Sequence, residues 1–275
     1  MSISIGLMKG FVMRMNQKQR QVYDIMLMPI QNTEYSAGKI VIERKELVIE
    51  TTQTYYRYKK YPINLDADMS DFAIGFYNIL YKDILKNNSL LNSDHNVTDD
   101  EFAGDTMNSF NMIANRVPEA GKSNLQRTPE HQWPKWLQDY YHKYHCLANF
   151  WVLPLEVGRK SDNANFCKMN FANKIYDYMD RFLKFHKDQK KWNDFKRTYS
   201  KYYENIRNFE EFVDVHFLMG SYVDENYEII EYSNDKIDKL TEHLLECMQI
   251  RAEAIAKSKY CDELWKYFMS CGLIQ

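Results

Sequence analysis

The sequence is poor in the features that define several large protein classes. It has only five cysteines in 275 residues, and an odd number without repeated spacing argues against a disulfide framework and favours a reducing compartment. No apolar run approaches the roughly 18 residues of a membrane-spanning helix. The start, MSISIGLMKGFVMRM, lacks the basic region, long apolar stretch and cleavage site of a signal peptide. We therefore expect a cytoplasmic protein without membrane contact.

The sequence also lacks a strong net charge. With 36 basic and 38 acidic residues the net charge is −2, so the molecule as a whole has no strong attraction for nucleic acid. The charges are nevertheless unevenly placed. Residues 181–207, the basic segment, contain nine Lys or Arg and three Asp or Glu, whereas the rest of the chain has 27 basic and 35 acidic residues.

Apolar and aromatic residues are abundant enough for a packed core. Hydrophobic residues make up 45% of the chain and charged residues 27%, which is typical of a globular protein and excludes wholesale disorder. There are 21 Tyr, 15 Phe and 5 Trp. Because tyrosine suits positions with one apolar and one wet side, we expect some of these rings at surfaces or clefts. An AT-rich genome, which enriches Tyr, Asn, Lys and Met, is the alternative explanation.

Hydrophobic periodicity predicts helices and a small β element in the first half of the chain. The first thirty residues have a helical pattern, and residues 38–62 are typical of two or three strands. Thr98 and Glu101 form a predicted capping box, in which each side chain satisfies the free backbone N–H of the other. This box predicts a helix over residues 101–116.

The remaining patterns complete a mostly helical fold. They predict a helix capped by Ser70, a loop at 115–136, a helix or strand at 137–154, helices at 166–190 and 199–218, a turn at Asp224–Asn226, and a helical C-terminal region with a buried line at Ile237, Leu240, Leu244, Met248 and Ile255. The predicted fold class is α+β. We expect one mostly helical domain over residues 1–275, with a small N-terminal β-hairpin or sheet at about 38–62.

The basic segment mixes cations with aromatic rings. Cations neutralise phosphates and exposed rings stack on bases, so the mixture is typical of a site for RNA or single-stranded DNA. The predicted nucleic-acid contacts are Lys184, Lys187, Lys190, Lys191, Trp192, Lys196, Arg197 and Lys201. In the alternative interpretation the rings face the core and the lysines only solvate an amphipathic helix.

Arg181 and His186, in RFLKFH, have the spacing of a known catalytic motif. The stretch resembles the R-x4-H motif of the HEPN ribonucleases, and this resemblance implies that the two side chains act together on a scissile phosphate. On a regular helix, however, residues five apart point about 140° away from each other. His186 also lies four residues beyond Phe182 on the predicted apolar stripe. A buried, hydrogen-bonded histidine is therefore the alternative.

Two stretches contain residue types that bind metals. His142, His145 and Cys146 could contribute to a zinc site completed by Cys167 or His131, although a second ligand pair, as structural zinc sites have, is missing. Further along, NFEEFVDVHF brings together Glu210, Glu211, Asp214 and His216, which would need further ligands from elsewhere. The metal, if there is one, stays unknown at this point.

Four stretches resemble an uncharacterised bacterial family whose domain has no known function. They are FAGDTMNSFNMIANR, YYHKYHCLANFWVLPLEVGRKS, YDYMDRFLKF and FEEFVDVHFLMGSYV, and the likeness covers roughly residues 70–270. Its most specific pieces are the GDTMNSF and LANFWVLP runs. The resemblance implies relatives but no reaction.

A local likeness implies a sharper mechanism. The stretch PEHQWPKWLQDYYHKYHCLANFWVLPLEVGRKSDNANFCK resembles the HNH nuclease segment of modification-dependent restriction enzymes. The resemblance implies that His131 is the general base that activates water and that Asn149 is the strut of the ββα-metal fold. Asn163 or Asn165 would lie near a divalent ion that stabilises the leaving oxygen. His145 is a further catalytic candidate.

The same segment has a purely structural interpretation. Ala148 stands where the HNH turn has glycine, and the last asparagine lies several residues too far along. Asn149 would then hydrogen-bond to backbone at a tight turn, and the side chains that fill the core would be Phe150, Trp151, Val152 and Leu153.

These patterns lead to two functional expectations. The first is a bacterial or mobile-element protein, related to phage defence, that binds or cleaves nucleic acid by HNH-like or HEPN-like chemistry. The second is a non-enzymatic interaction or regulatory module, with a homodimer formed through an amphipathic helix such as residues 235–257.

Overall fold

Helices dominate the part of the chain that the computed structural model describes. This part comprises residues 15–33, 40–43, 46–50, 53–55, 62–64, 67–85, 102–114, 117, 129–154, 179–232 and 236–274. Short strands accompany the helices. The predicted fold class, a mostly helical α+β domain, is therefore confirmed.

The first described element is helix α1 (Gln17–Met26), which begins with a capping box. The Asn16 side chain accepts a hydrogen bond from the Gln19 N–H, and the Gln19 side chain accepts one from the Asn16 N–H, both at 3.0 Å. The helical prediction for the first thirty residues is confirmed here, whereas residues 1–14 lie outside the described residues.

Five short strands follow α1. They are β1 (Ile30–Thr33), β2 (Ile40–Glu43), β3 (Glu46–Glu50), β4 (Gln53–Tyr55) and β5 (Pro62–Asn64). Strand β3 lies between β1, its parallel neighbour, and β2, its antiparallel neighbour, while β4 pairs with β5. The predicted N-terminal β element is thus confirmed.

Helix α2 (Asp71–Leu80) begins at its predicted cap and continues into the short α3 (Lys82–Leu85). The Ser70 hydroxyl accepts a hydrogen bond from the Ala73 N–H at 3.2 Å. Such a cap satisfies one of the amide groups that the first turn leaves free. The α2 residues Phe72, Phe76 and Leu80 are buried, as their spacing predicts.

The helix predicted over residues 101–116 is wrong in its first part. Strand β6 (Phe102–Thr106) occupies this region and pairs antiparallel with β7 (Phe150–Pro154). Helix α4 is confined to Phe110–Ala114, and Thr98 and Glu101 lie outside the described residues. The partner strand is almost fifty residues away, and a local capping signal contains no information about such a pairing.

Strand β6 passes unusually close to neighbouring backbone. A Cβ added at Gly104 would lie 1.9 Å from the Asp68 carbonyl oxygen and 2.6 Å from the Tyr77 ring. Only a residue without a side chain fits this approach, so Gly104 lets β6 lie against the turn before α2.

The sequence pattern leaves open whether residues 137–154 form a helix or a strand, and the structure contains one of each. A 3-10 turn at Glu130–Gln132 precedes helix α5 (Lys135–Tyr141), and a second one at Leu147–Asn149 leads into β7. Residues 118–128 of the predicted loop lie outside the described residues.

The basic segment folds into several short helices. They are α6 (Met179–Lys187), α7 (Gln189–Thr198) and α8 (Ser200–Tyr203), and α9 (Phe209–Val215) follows them. The predicted helix at 166–190 is confirmed from residue 179 but is broken at Asp188. The Asp188 side chain accepts a hydrogen bond from the Lys191 N–H at 3.0 Å and caps α7.

Two helices form the C-terminal part, α10 (Ile237–Ala256) and α11 (Cys261–Ser270). The turn predicted at Asp224–Asn226 precedes them, with a bridge between Val223 and Ile229. Four residues of the predicted line on α10, Leu240, Leu244, Met248 and Ile255, are in the core, and Ile237 is half-buried. The apolar stripe considered for a homodimer is therefore covered by the chain itself.

A single cluster of buried side chains joins all of the larger helices from α1 to α11. Among the described cysteines, Cys146, Cys247, Cys261 and Cys271 are free thiols. Within the described residues, no helix has the length and apolar character needed to cross a membrane.

Candidate functional site

Asn149, the strut suggested by the HNH likeness, is a buried structural amide. Its Oδ1 accepts hydrogen bonds from the Asn108 N–H (3.2 Å) and side chain (3.4 Å). Its Nδ2 donates to the carbonyl oxygens of Asn108 (3.0 Å) and Tyr144 (2.7 Å). The side chain is fully enclosed. These contacts are those of the structural alternative, in which Asn149 hydrogen-bonds to backbone at a tight turn.

The two histidines paired with Asn149 in that prediction are differently placed. His131 is exposed on the 3-10 turn, 3.5 Å from the Gln132 side chain. His145 is half-buried, stacked on Tyr144 at 5.1 Å and 13° and edge-on to Phe150. No described hydrogen bond or ring contact joins His131 to Asn149. The predicted catalytic grouping is not assembled among these residues.

The candidate metal sites are likewise not formed in the described part of the chain. No group of three or more His, Cys, Asp or Glu side chains is close enough there to hold a metal ion. His142 instead contacts Glu130 at 2.6 Å, and burial raises the pKa of Cys146 to about 12. Cys167, Asn163 and Asn165 lie outside the described residues.

His186 is a core histidine, which contradicts its predicted pairing with Arg181 at a substrate. Its Nδ1–H donates to the Phe182 carbonyl at 3.4 Å, so its Nε2 accepts from the Tyr203 hydroxyl at 2.8 Å. The ring is fully buried and stacks on Phe195 at 4.1 Å. Burial lowers its pKa to about 3, whereas Arg181 is half-exposed.

The aromatic rings of the basic segment face the core. Phe182, Phe195, Tyr202 and Tyr203 are fully buried, and Trp192 is 3% exposed. The prediction that Trp192 stacks on bases is therefore wrong. The hydrophobic effect favours burial of these rings, because their spacing puts them on the inward face of each of the helices α6, α7 and α8.

Several predicted nucleic-acid contacts are engaged by neighbouring acids. Lys184 pairs with Glu231 at 2.5 Å, Lys187 with Glu228 at 2.8 Å, and Arg197 with Asp194 at 2.8 Å. Lys191 lies over the Phe185 ring at 5.0 Å. Lys190 and Lys201 are exposed and Lys196 is half-exposed.

Acidic residues near the basic segment offset its excess of positive charge. The described stretch 179–232 contains nine basic and eleven acidic residues, because α9 and the following turn add carboxylates to the basic segment. The positive charge that the sequence concentrates in one segment is therefore compensated by its neighbours in the fold.

A directional chain of hydrogen bonds runs through the core beside these helices. Arg251, which is fully buried, donates through Nη2 to the Tyr81 hydroxyl at 3.0 Å. The Tyr202 hydroxyl donates to the Val152 carbonyl at 2.6 Å, so its oxygen accepts from His216 Nε2 at 2.7 Å. His216 Nδ1 then accepts from the Tyr81 hydroxyl at 3.2 Å.

Arg251 also holds the backbone of two separate segments. Its Nε donates to the His216 carbonyl at 2.8 Å, and its Nη1 donates to the Ala148 carbonyl at 2.8 Å. Burial, together with the charge of Arg251, keeps the pKa of His216 well below its usual range. His216 is thus a buried core group whose two ring nitrogens are both hydrogen-bonded within the protein.

Tyr81, the second member of this series of hydrogen bonds, also lines a surface depression of 310 Å³. This Tyr81 pocket lies where α2–α3, the end of α9 and the α10–α11 turn meet. Its lining consists of Leu80, Tyr81, Asp83, Ile84, Asp214, Val215, Phe217, Ser258, Lys259 and Tyr260. Apolar side chains form most of this surface, and charged groups interrupt it at few places.

The charged groups of the Tyr81 pocket fall into two sets. The Asp83 carboxylate accepts from Lys259 Nζ at 2.8 Å and from the Tyr260 hydroxyl at 2.9 Å, and these hydrogen bonds lower its pKa. Across the pocket, the Tyr227 hydroxyl lies 3.3 Å from both Asp214 oxygens. Partial burial, Glu211 and Glu210 raise the pKa of Asp214.

Among the residues that line this pocket, the sequence patterns indicate only Asp214 as a candidate site residue. Asp214 was noted as a possible metal ligand, but Tyr81, Asp83 and Lys259 carried no local signal. They come from positions up to 180 residues apart in the chain. Pockets with a mainly apolar lining and a few converging polar groups with shifted pKa values are the usual form of ligand sites.

Comparison with models of known protein families, with curated proteins and with solved structures gives no match for this chain. The resemblances to the uncharacterised bacterial family, to HNH nucleases and to HEPN ribonucleases therefore stay predictions.

Proposed function

We propose that the protein is a ligand-binding module and that the Tyr81 pocket is its binding site. The observation that carries this proposal is the combination of an apolar floor, polar groups with shifted pKa values and a volume of 310 Å³. Ligand pockets begin at about 300 Å³. The buried positions of Asn149 and His186 favour such a role over the predicted nuclease chemistry.

The connection between the pocket and the core supports a regulatory use of binding. Tyr81 forms part of the pocket wall, and its hydroxyl contacts both Arg251 and His216. A ligand that displaces the Tyr81 ring would therefore change the hydrogen bonds that hold α9 and the turn at residues 147–149. This is the route by which occupancy could alter a surface elsewhere.

A small neutral probe tests whether the pocket binds ligands at all. We expect 2-phenylethanol to bind saturably with a Kd in the millimolar range, as about 0.3 kcal/mol per heavy atom implies. In amide NMR spectra the shifts should be largest for residues lining the Tyr81 pocket. Val215→Trp, which fills the floor, should abolish this binding.

The matched control is Ile237→Trp, a half-buried position at the far end of α10. This variant should bind the probe as the wild type does. Equal loss in both variants, or probe shifts spread over the whole surface, would contradict the proposal.

The exposed cations of α7 and α8 favour a second candidate function, contact with the phosphate backbone of single-stranded nucleic acid. Lys190, Lys196 and Lys201 remain at least half-exposed, although base stacking by Trp192 is excluded. If all three contact phosphates, replacing them with Gln should reduce the slope of log K against log salt by about 2.

Binding of fluorescent single-stranded RNA at increasing salt measures this slope. The control is a triple Gln variant at Lys236, Lys239 and Lys266, three exposed lysines of the C-terminal part. No binding at low salt, or the same loss in both triple variants, would argue against a specific role for α7 and α8.

A further inference from the structure

We propose that the ligand of the Tyr81 pocket is a small organic cation, an alkyl- or arylammonium ion whose apolar body lies on the pocket floor. This inference rests on the proposed ligand-binding function and adds the chemical class of the ligand. It is carried by the charges of the pocket, by the helix ends that surround it and by the neighbouring surface.

The pocket's own cation is already paired, while one carboxylate is not. Lys259 contacts Asp83 at 2.8 Å and lies over the Tyr260 ring at 5.0 Å. Among the described residues, Asp214 has no cationic partner and contacts only the Tyr227 hydroxyl, at the long distance of 3.3 Å. Asp214 is exposed, and an ammonium group there would replace water by charge-assisted hydrogen bonds to its carboxylate.

Helix ends at the Tyr81 pocket also favour a cation. Helix α9 ends at Val215, in the lining, and α10 ends at Ala256, two residues before Ser258. The C-terminal end of a helix carries about half a negative charge and favours cations. The opposing N-terminal end of α11 is compensated by Asp262 and Glu263 in its first turn.

A second depression continues the acidic surface beyond α9. It has a volume of 440 Å³, shares Asp214 and Val215 with the Tyr81 pocket, and is otherwise lined by Glu204, Asn205, Arg207 and Glu211. Arg207 pairs with Glu211, so Glu204 and Asp214 give this depression a net negative charge. An anion approaching the Tyr81 pocket from this side would be repelled.

The size and floor of the pocket favour a free amine over a lysine of a partner protein. A volume of 310 Å³ suits a small molecule, and the side chains of Leu80, Ile84, Val215 and Phe217 cover the apolar body of the ligand. Peptide groups on both sides of a lysine would have to leave water for this surface without hydrogen-bond partners.

Three ligands with nearly the same apolar body test the charge preference. They are 2-phenylethylamine, which is a cation at neutral pH, neutral 2-phenylethanol and anionic phenylacetate. We expect the amine to bind about tenfold more tightly than the alcohol, as one added charge-assisted hydrogen bond implies, and phenylacetate to bind least. Acetyl-lysine-methylamide should bind less tightly than the amine.

Removing the charge of Asp214 tests whether the ammonium group of the ligand binds at this carboxylate. Asp214→Asn should lower the affinity for the amine about tenfold and leave the affinity for the alcohol unchanged. Glu246→Gln, an exposed carboxylate ten residues before the end of α10, should change neither. Tyr227→Phe, which keeps the Asp214 charge, should retain amine binding. Isothermal titration calorimetry measures all of these affinities, and thermal melts verify that each variant is folded.

The outcomes separate this inference from the function on which it rests. Equal affinities for amine and alcohol, tighter binding of phenylacetate, or an Asp214→Asn variant with full amine affinity would overturn the cation preference and leave the pocket standing. Tighter binding of the lysine derivative would replace the free amine with a protein lysine. Absence of binding for all ligands would overturn the proposed function itself.

Discussion

Replacing Arg251 by alanine is expected to lower the free energy of unfolding by about 3–5 kcal/mol. Arg251 is fully buried and donates to the carbonyl oxygens of His216 and Ala148 and to the Tyr81 hydroxyl. Without the guanidinium these acceptors lose their donor in a place that excludes water, and a cavity remains. Each buried acceptor left without a partner costs about 1–3 kcal/mol.

Urea unfolding of two arginine variants measures this contribution. The control is Arg20→Ala, which removes an exposed pair with Asp24 at 3.3 Å. Such surface pairs contribute less than about 1 kcal/mol. Arg251→Met should recover part of the packing but none of the hydrogen bonds, and should lie between Arg251→Ala and wild type. An Arg251→Ala protein as stable as the control would contradict the role assigned to this network.

Replacing Asn149 by alanine is expected to cost about 2–4 kcal/mol of stability, because it leaves several buried backbone groups without partners. The amide accepts from the Asn108 N–H and donates to the carbonyls of Asn108 and Tyr144. These bonds hold the β6–α4 connection against the turn that precedes β7. Destabilisation of this size would appear in urea unfolding and in faster amide exchange of Asn108.

A surface asparagine provides the matched control for this experiment. Asn193 is exposed on α7 and accepts a hydrogen bond from Gln189 at 3.3 Å, so Asn193→Ala should change stability by less than about 0.5 kcal/mol. Asn149→Asp keeps the shape but brings a charge next to two carbonyl oxygens, and it should be at least as damaging at neutral pH. If Asn149→Ala unfolded like wild type, the structural role assigned to this amide would be wrong.

Local periodicity predicted the helices at Asp71–Leu80 and Ile237–Ala256, whereas the helix predicted over residues 199–218 is interrupted between Tyr203 and Phe209. The Ser70 cap, the buried line of α10 and the inward position of His186 are all visible as spacings of three and four residues. These features depend on residues within two helical turns of each other, so the spacing along the sequence predicts them. The same logic predicted that Phe182 and His186 share a face, and therefore that Arg181 does not join them.

Pairings over long distances were not predictable from such patterns. The pattern of residues 102–106 predicts the continuation of a capped helix, but β7 supplies hydrogen bonds that outweigh this weak preference. Gly104 was the one sign of a different structure, because glycine weakens a helix and permits a close backbone approach. No local pattern places Asp68 beside Gly104, although Gly104 packs against its carbonyl oxygen.

The basic segment shows that a count of charges along the sequence does not predict the charge of the folded surface. The sequence lists nine cations close together, yet Glu228 and Glu231 arrive from a later turn and pair with Lys187 and Lys184. The sequence did not show whether the aromatic rings face the core or the solvent, because both arrangements have the same helical period. Only the packing of α6 and α7 on the core decides between them.

The sequence by itself determined the mostly helical α+β class, the Ser70 cap and most of the buried line of α10, since these depend on local spacing and on the removal of apolar surface from water. The tertiary structure alone decided the β6–β7 pairing, the buried environment of Arg251 and the Tyr81 pocket. Each of these depends on groups from distant segments meeting in one place, where exclusion of water makes a hydrogen bond or a charge count for more than it does in the open chain.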